Sequence, residues 1–369
     1  MKEYIIDSVS SYLKLIEDIG IEKYIYRGQN NPYYGIEASG FRPYLGGWYS
    51  DKICDIESMS KNFLDKVIST ISEDEKKHFC AYCQHHGVPT NLVDFTYSSL
   101  VALFFSCDGK GEEKFTISEL IGDYSIDELE KDKRLQSTLI HNLISKNKKD
   151  NFSKYGQIYL IKKKRLINIT DLILDLNGKN LFVAIQEDDT IKLKLEQKII
   201  DFFNPLNKTE AKEHLANLKE QCEEIKKINE ICFEDDLTSN DYVINDDTSV
   251  QLYGKKYFEH LYNLIIYCQD FPAKYKITLD IYFTYTPPYL FPRLTNQKGM
   301  FIYQPYIYVN DRVYDYHELI MQEIVPDITI YVDKYKEILY ELKMLGIDSG
   351  YVYNDIDNIA KTVKYEYEK

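Results

Sequence analysis

Apolar residues recur at helical spacing near the start of the chain. Between Asp7 and Gly20 they occupy positions 9, 12, 13, 16 and 19, which fall on one face of a helix. Asp7 or Ser8 is suited to cap the first turn of this helix, and Gly20 is suited to end it. The pattern therefore predicts an amphipathic helix at the beginning of the fold.

Short runs of β-branched and aromatic residues follow, and such runs are typical of strands. The predicted strands cover residues 23–27, 157–161, 276–285, 300–309 and 328–332. Helical spacing predicts helices over residues 56–71, 75–87, 100–105, 333–345 and 355–366. Residues 88–96 contain Pro89 and are predicted to form a turn.

The composition changes in the middle of the chain. From about residue 165 to residue 270 the sequence is charged and helical in pattern, as in Glu210–Glu220, and it includes the acidic, turn-like stretch Glu234–Asp241. We interpret residues 165–275 as a charged, mostly helical insertion. It would divide a core into an N-terminal part, residues 1–164, and a C-terminal part, residues 276–369.

The charge of the chain limits its partners. The chain has 369 residues, enough to bury a sizeable core without a disulfide or a metal ion, and its formal net charge is -14. Nucleic acids and anionic membranes are attracted by clustered cations. We therefore expect neither as a broad partner, although a local basic groove for nucleic acid stays open.

The cysteines do not form a disulfide or zinc pattern. There are seven, an odd number without regular spacing, which favours reduced thiols in a cytoplasmic protein. Cys80 and Cys83 have the spacing of half a zinc site, but the chain offers no second pair, so we expect them in the core and expect no metal. No signal segment and no run of eighteen apolar residues occurs, so neither export nor membrane spanning is expected.

Two motifs concentrate residues that can carry chemistry. Tyr26-Arg27-Gly28-Gln29 ends a predicted strand with a forked cation beside a glycine, which suits a phosphate or a carboxylate. The alternative is an arginine paired with a core carboxylate. No phosphate loop, dinucleotide fingerprint, GxSxG or HExxH motif is present.

The second motif runs from Gln84 to Thr96 and contains His85, His86, Thr90 and Asp94. Histidine exchanges protons near neutral pH, and Asp94 is suited to orient an imidazole. The alternative is that these side chains hydrogen-bond the backbone of their own turn, with Asp94 or Thr96 capping the next helix.

Taken together, these motifs resemble the FRG domain, a bacterial family named for its aromatic-Arg-Gly motif. Arg293–Phe301 and Lys336–Ile347 are similar to later segments of that family. The family's turn commonly reads P-T-R-L-L-D-W-T, whereas Asn91 and Phe95 replace its arginine and tryptophan here. The resemblance implies an α+β fold with a mixed, mainly antiparallel β core flanked by helices.

A second similarity concerns the arginine-type ADP-ribosyltransferases. The aromatic-Arg-Gly motif and the late segment Met321–Pro326 resemble the first and last elements of those enzymes, while their middle Ser-Thr-Ser element has no counterpart. The resemblance implies that Arg27 holds the phosphates of NAD and that Glu323 stabilises the ribosyl cation. A toxin or anti-phage effector that uses NAD as a substrate would fit this pattern.

The candidate site residues follow from these motifs. We expect NAD contacts from Arg27, Gly28, Gln29, Arg42, Gln84, Thr90 and Gln297. We expect catalytic roles for Glu323, His85, His86 and Asp94. The first alternative is a metal-independent nuclease with the histidines as acid and base, and the second is a non-enzymatic sensor that binds a protein partner through residues 165–275.

Overall fold

A computed structural model of the chain describes residues 2–30, 35–42, 55–109, 155–176, 178–228, 249–270, 276–288, 292–311 and 316–367. The strands are β1 (Lys2–Ile6), β2 (Tyr24–Gln29), β3 (Leu92–Thr96), β4 (Gly156–Lys162), β5 (Leu166–Asn168), β6 (Tyr282–Tyr285), β7 (Gly299–Tyr303), β8 (Tyr306–Asp311), β9 (Tyr316–Met321) and β10 (Ile328–Val332).

The described helices lie between these strands and after the last of them. They are α1 (Val9–Ile19), α2 (Ile56–Val67), α3 (Glu73–Lys77), α4 (Phe79–His85), α5 (Ser99–Cys107), α6 (Thr170–Asp175), α7 (Leu181–Glu187), α8 (Asp189–Phe203), α9 (Lys208–Ile228), α10 (Val250–Asp270), α11 (Pro292–Asn296), α12 (Tyr335–Met344), α13 (Ser349–Tyr353) and α14 (Ile356–Tyr367).

Helix α1 forms where its apolar stripe predicts it. Ser8 and Ser11 make reciprocal capping contacts at its start, which satisfy backbone N–H groups that the first turn leaves free. Gly20 ends the helix with a φ of 87°, in the region that favours glycine. Val9, Tyr12 and Ile16 are buried, so the predicted amphipathic helix is confirmed.

Eight strands of the described chain form one sheet in the order β1-β10-β4-β2-β3-β7-β6-β5. The pairs β1 with β10 and β5 with β6 are parallel, and the other neighbours are antiparallel. Strands β8 and β9 form a separate antiparallel pair. The fold is α+β with a mixed, mostly antiparallel sheet, as the resemblance to the FRG domain implies.

The sheet opens between its two central strands. Strand β2 pairs with β4 along its whole length, from Tyr24 to Gln29, but with β3 only through Tyr26 and Thr96. Strand β3 in turn pairs with β7 along its whole length. The backbones of β2 and β3 therefore part after Tyr26, and the residues beyond this point border a gap.

Two large cores cover different halves of the sheet. Helices α1, α5 and α12 pack with β1, β2, β4 and β10 in one core, and helices α6 to α10 pack with β3 and β5 to β7 in the other. Tyr26 belongs to the first core, and Leu92 and Phe301 belong to the second. Directly paired residues of neighbouring strands point to the same face of the sheet, so the two cores lie side by side on one face. The boundary between them therefore lies over the gap between β2 and β3.

The helices of the predicted insertion share their core with the sheet. Buried residues of α6 to α10 are in one hydrophobic cluster with buried residues of β3, β5, β6 and β7. Strand β5, which also lies within residues 165–275, pairs with β6 as an edge of the sheet. This segment is therefore part of the packed fold, and its acidic stretch Glu234–Asp241 lies outside the described residues.

Two glycines allow helix α5 to lie directly on the sheet. A Cβ atom at Gly28 would lie 1.8 Å from the carbonyl oxygen of Ala102, and one at Gly156 would lie 1.9 Å from that of Ser106. Both oxygens belong to the helix backbone, which cannot turn away as a side chain can. The glycine of the aromatic-Arg-Gly motif is thus required by helix packing.

Several predicted boundaries are wrong in informative ways. Residues 88–96 contain β3 and are not only a turn, and the strand predicted over 276–285 is regular only in β6. The strand predicted over 300–309 is divided into β7 and β8, which end and begin on either side of Gln304-Pro305. Proline has no N–H to donate to a ladder, so it interrupts the run.

No described helix has both the length and the apolar character needed to cross a membrane.

Candidate functional site

A cavity of about 380 Å³ lies where β2 and β3 part. Strands β2, β3 and β7 contribute to its wall, together with α4, α5 and the α11 segment. Its polar lining residues are Arg27, Gln84, His85, Asp94, Thr96, Arg293 and Gln297. The remaining lining residues are Tyr26, Gly28, Ala81, Phe95, Phe105, Leu294 and Phe301.

Arg27 crosses the gap between the two strands. Its Nη1 donates a hydrogen bond to the backbone oxygen of Asp94 at 2.8 Å. Its Nε is buried and has no hydrogen-bond partner among the described residues. Burial lowers the pKa of the Arg27 guanidinium, and the nearby Asp94 carboxylate opposes that shift. The guanidinium remains charged at neutral pH and has a donor left over for a ligand.

Three of the predicted residues form a hydrogen-bonded relay along one wall. The Thr90 hydroxyl accepts the N–H of Leu92 at 3.1 Å and donates to Oε1 of Gln84. Nε2 of Gln84 then donates to Oδ2 of Asp94 at 2.9 Å. Thr90 is buried and does not itself line the cavity, so it acts by fixing the orientation of the Gln84 amide and thereby of the Asp94 carboxylate.

Replacing Thr90 with valine should destabilise the protein. The substitution leaves the Leu92 N–H and the Gln84 oxygen without their hydroxyl partner, and an unsatisfied buried group costs about 1–3 kcal/mol. Urea unfolding would measure the loss, and Thr90→Ser should restore most of it. Thr70→Val is the matched control, because the Thr70 hydroxyl caps an exposed turn, where water replaces the lost bond. Equal losses at both positions would contradict a buried relay.

Gln297, which follows α11, also lines the cavity. Its Nε2 donates to the backbone oxygen of Val352 in α13 at 3.2 Å, and its own backbone oxygen accepts the hydroxyl of Thr96. Gln297 therefore joins the α11 segment to both β3 and α13. Gln297 is in the same cavity lining as Arg27 and Asp94, and its contact with NAD stays a prediction.

The two histidines have different surroundings. His85, the last residue of α4, lines the cavity, and burial lowers its pKa, helped by the charges of His86 and Arg293. Its imidazole is therefore neutral at pH 7. His86 packs on Tyr82 with ring centroids 4.3 Å apart and is outside the cavity lining. The paired acid and base of the nuclease alternative are thus not both at the cavity.

Other predicted residues are in a second cluster. Lys276 Nζ lies 3.8 Å from Oε1 of Glu323 and 3.7 Å from Oε1 of Glu37. Arg42 donates from Nε and Nη2 to the backbone oxygen of Glu37, at 3.2 and 2.9 Å. Neither Glu323 nor Arg42 lines the cavity, and Gln29, which is paired opposite Gln157 in the sheet, does not line it either.

Asn91 replaces the arginine that is common in the family's turn. Its side chain is buried and donates to the backbone oxygen of Gln304 at 3.3 Å. The Gln304 side chain in turn bonds the backbone of Ala38 and of Gln322. Asn91 therefore joins β3 to the segment between β7 and β8, and it is not among the cavity residues.

Sequence motifs did not identify Arg293 or the aromatic walls. Arg293 and Gln297 are four residues apart, a spacing that brings side chains to one face of a helix. This spacing was the signal that could have placed Arg293 beside the predicted residue Gln297. The rings of Phe105 and Phe301 come from α5 and β7, which only the packed fold brings together. Their contribution could not be found from local spacing.

The cysteines of α4 are poorly suited to react. Burial raises the pKa of Cys80 to about 12 and that of Cys83 to about 11, so both remain thiols at neutral pH. The described residues contain no cluster of three or more His, Cys, Asp or Glu side chains suited to a metal ion.

The comparison with known proteins identifies one domain. The model of the FRG domain matches residues 22–114, which include Arg27, Gln84, His85, Asp94 and Thr96 of the cavity lining. Arg293 and Gln297 come from outside the matched stretch. Neither a curated protein nor a solved structure matches the chain. The match and the motifs together show that the chain is an FRG domain-containing protein.

Proposed function

We propose that the cavity between β2 and β3 binds a nucleotide and that Arg27 holds one of its phosphate groups. The observation that carries this proposal is the buried Nε of Arg27, which has no partner among the described residues although the guanidinium is charged. A buried N–H of a charged group is costly when it has no acceptor, and an anionic ligand that accepts from Nε would remove that cost. The β2 backbone is fixed by β4 and by α5, so the guanidinium is held ready for the ligand.

The rest of the lining supports an organic phosphate over a simple anion. The lining includes the aromatic residues Tyr26, Phe95, Phe105 and Phe301, of which Phe105 is half-buried and the others are buried. An aromatic ring at a cavity wall suits a flat base or a ribose. The volume of about 380 Å³ is near the lower end of the roughly 300–1,000 Å³ typical of small-molecule sites. A site of this size would enclose about one nucleotide unit, and a dinucleotide would extend through the opening.

NAD is the ligand to test first, with cleavage of its glycosidic bond as the reaction. The bond between nicotinamide and ribose breaks, its electron pair leaves with nicotinamide, and positive charge develops at the anomeric carbon. A carboxylate beside that carbon stabilises the charge. Water or an acceptor group then forms the new bond, and its proton passes to a base such as neutral His85 or Asp94.

Asp94 is the carboxylate that this proposal favours over Glu323. Asp94 lines the cavity and is oriented by Gln84, whereas Glu323 is paired with Lys276 in the other cluster. An enzyme of this kind would consume NAD or modify a cellular target, as expected of a toxin or anti-phage effector. Residues 165–275 would then be available for a protein partner.

The test is incubation of the purified protein with NAD, with nicotinamide release and label transfer to a cell extract as readouts. We expect release by the wild type and a loss of about 100-fold in Asp94→Asn, the magnitude typical of removing one group that stabilises a transition state. Asp357→Asn, an exposed change of the same charge in α14, is the matched control.

Glu323→Gln decides between the two carboxylates. A loss confined to Glu323→Gln would assign the catalytic carboxylate to the second cluster, as the resemblance to ADP-ribosyltransferases implies. Absence of nicotinamide release in the wild type, together with no thermal stabilisation by NAD, would overturn the proposed cleavage.

A further inference from the structure

Arg293 brings a second guanidinium to the cavity from a different part of the chain. It belongs to α11 and lines the cavity together with Arg27, although the two residues are 266 positions apart in sequence. No carboxylate of the described residues forms an ion pair with either arginine. Arg165, by contrast, is paired with Asp327.

An aromatic ring holds Arg293 in place without using its hydrogen-bond donors. The Arg293 guanidinium lies over the ring of Tyr353, 5.0 Å from its centroid. The Tyr353 hydroxyl donates to Oδ2 of Asp108 at 2.7 Å, which fixes the ring beside the end of α5. A guanidinium stacked in this way keeps its N–H groups in its own plane, free to point toward a ligand.

The segment around Arg293 is attached to α13 at two further points. Asn296 Nδ2 donates to the backbone oxygen of Tyr351 at 2.7 Å, and Gln297 Nε2 donates to that of Val352 at 3.2 Å. Three consecutive residues of α13 therefore contact the α11 segment. Such attachment limits the movement of Arg293 relative to β3, to which Gln297 is also bonded.

From this arrangement we propose that Arg293 is a second phosphate contact and that the cavity selects ligands with two linked phosphoryl groups over those with one. Tyr353 is a positioning residue that holds the guanidinium of Arg293 at the cavity wall. The inference rests on the proposed nucleotide function and narrows its ligand class to nucleoside diphosphates and dinucleotides. Two guanidinium groups from different elements, β2 and α11, match two phosphoryl groups better than they match one.

The experiment compares the affinities of ADP and AMP by calorimetry without added metal. The wild type should bind ADP at least about tenfold more tightly than AMP, because the second phosphoryl group gains a charge-assisted contact. In Arg293→Gln that ratio should fall to about one, while the affinity for AMP changes little. Arg27→Met should weaken the binding of both ligands.

Tyr353 variants separate positioning from general stability. Tyr353→Phe keeps the ring and should keep the ADP preference, although loss of the bond to Asp108 lowers the melting temperature. Tyr353→Leu removes the ring, so it should lose the ADP preference and also lower the melting temperature. Lys192→Gln is the control, because Lys192 lies over the Tyr262 ring, 4.0 Å from its centroid, and is not a cavity residue.

Each outcome decides a different statement. A wild type that binds ADP and AMP equally, or an ADP preference that survives Arg293→Gln, would overturn the second phosphate contact while leaving the role of Arg27 intact. An ADP preference that survives Tyr353→Leu would overturn the positioning role of Tyr353. Binding of neither ligand by the wild type would overturn the nucleotide function and this inference together.

Discussion

Replacing Gly28 with alanine is expected to prevent stable folding or to lower the free energy of unfolding by about 3 kcal/mol or more. The new Cβ would lie 1.8 Å from the carbonyl oxygen of Ala102 and 2.8 Å from the backbone nitrogen of Ser106. Both atoms belong to the backbone of α5, so no change of side-chain rotamer can relieve the contact. Helix α5 would have to move away from β2 and β4 and leave part of its buried apolar surface unpacked.

Urea unfolding of Gly28→Ala against Gly87→Ala would measure this effect. Gly87 has a φ of 75° and no neighbouring atom within 4 Å of an added Cβ, so its substitution should cost only the backbone strain of about 1 kcal/mol. Gly156→Ala should resemble Gly28→Ala, because its Cβ would lie 1.9 Å from the oxygen of Ser106. A stable Gly28→Ala protein with a melting temperature near that of the wild type would contradict the close packing of α5.

Arg27→Met should strongly weaken nucleotide binding without destabilising the protein. Removing one partner of a buried charge pair costs about 2–5 kcal/mol of binding free energy, so the dissociation constant should rise at least about 30-fold. In the free protein the guanidinium is partly desolvated, which lowers its pKa, and its Nε has no partner. Methionine avoids this cost, so the free energy of unfolding should be unchanged or higher. Residues that are kept for function often lower the stability of a protein in this way.

Calorimetry with ADP-ribose and urea unfolding would measure the two effects separately. Lys23→Met removes the same charge at an exposed position just before β2 and should change neither quantity. Strong destabilisation by Arg27→Met with binding retained in the folded fraction would mean that Arg27 is a structural residue. That result would favour the alternative of a structural arginine paired with a core carboxylate.

The sequence predicted the central elements because their signals are local. The apolar stripe of α1, the apolar run of α5 and the strand before Gly28 each depend on residues within one or two turns of one another. Strand β3 was missed because Pro89 and the polar residues after it favour a turn, while pairing with β2 and β7 imposes a strand. Pairing partners of this kind are distant in sequence, and β-propensity is decided by such context.

In the site, too, local patterns predicted some residues and long-range packing decided the position of others. The segment from Gln84 to Thr96 is short, so its turn necessarily keeps Gln84, Thr90 and Asp94 near one another, and the structure joins them by hydrogen bonds. Glu323 was assigned from a resemblance in order along the chain. Its position beside Lys276 depends on where β9 ends relative to the sheet, which no local pattern encodes.

By itself the sequence determined which segments form the central helices and strands and the cluster of polar residues around Thr90, because each depends on neighbours along the chain. The need for glycine at position 28 was decided by the tertiary structure, because the close contact is with Ala102 of α5. Only the tertiary structure decided that β2 and β3 part after Tyr26, and that Arg293 reaches the resulting cavity from α11. A gap between strands and a guanidinium stacked on a distant tyrosine are both products of long-range packing. Both depend on contacts between elements that are distant in the sequence, and such contacts form only in the folded chain.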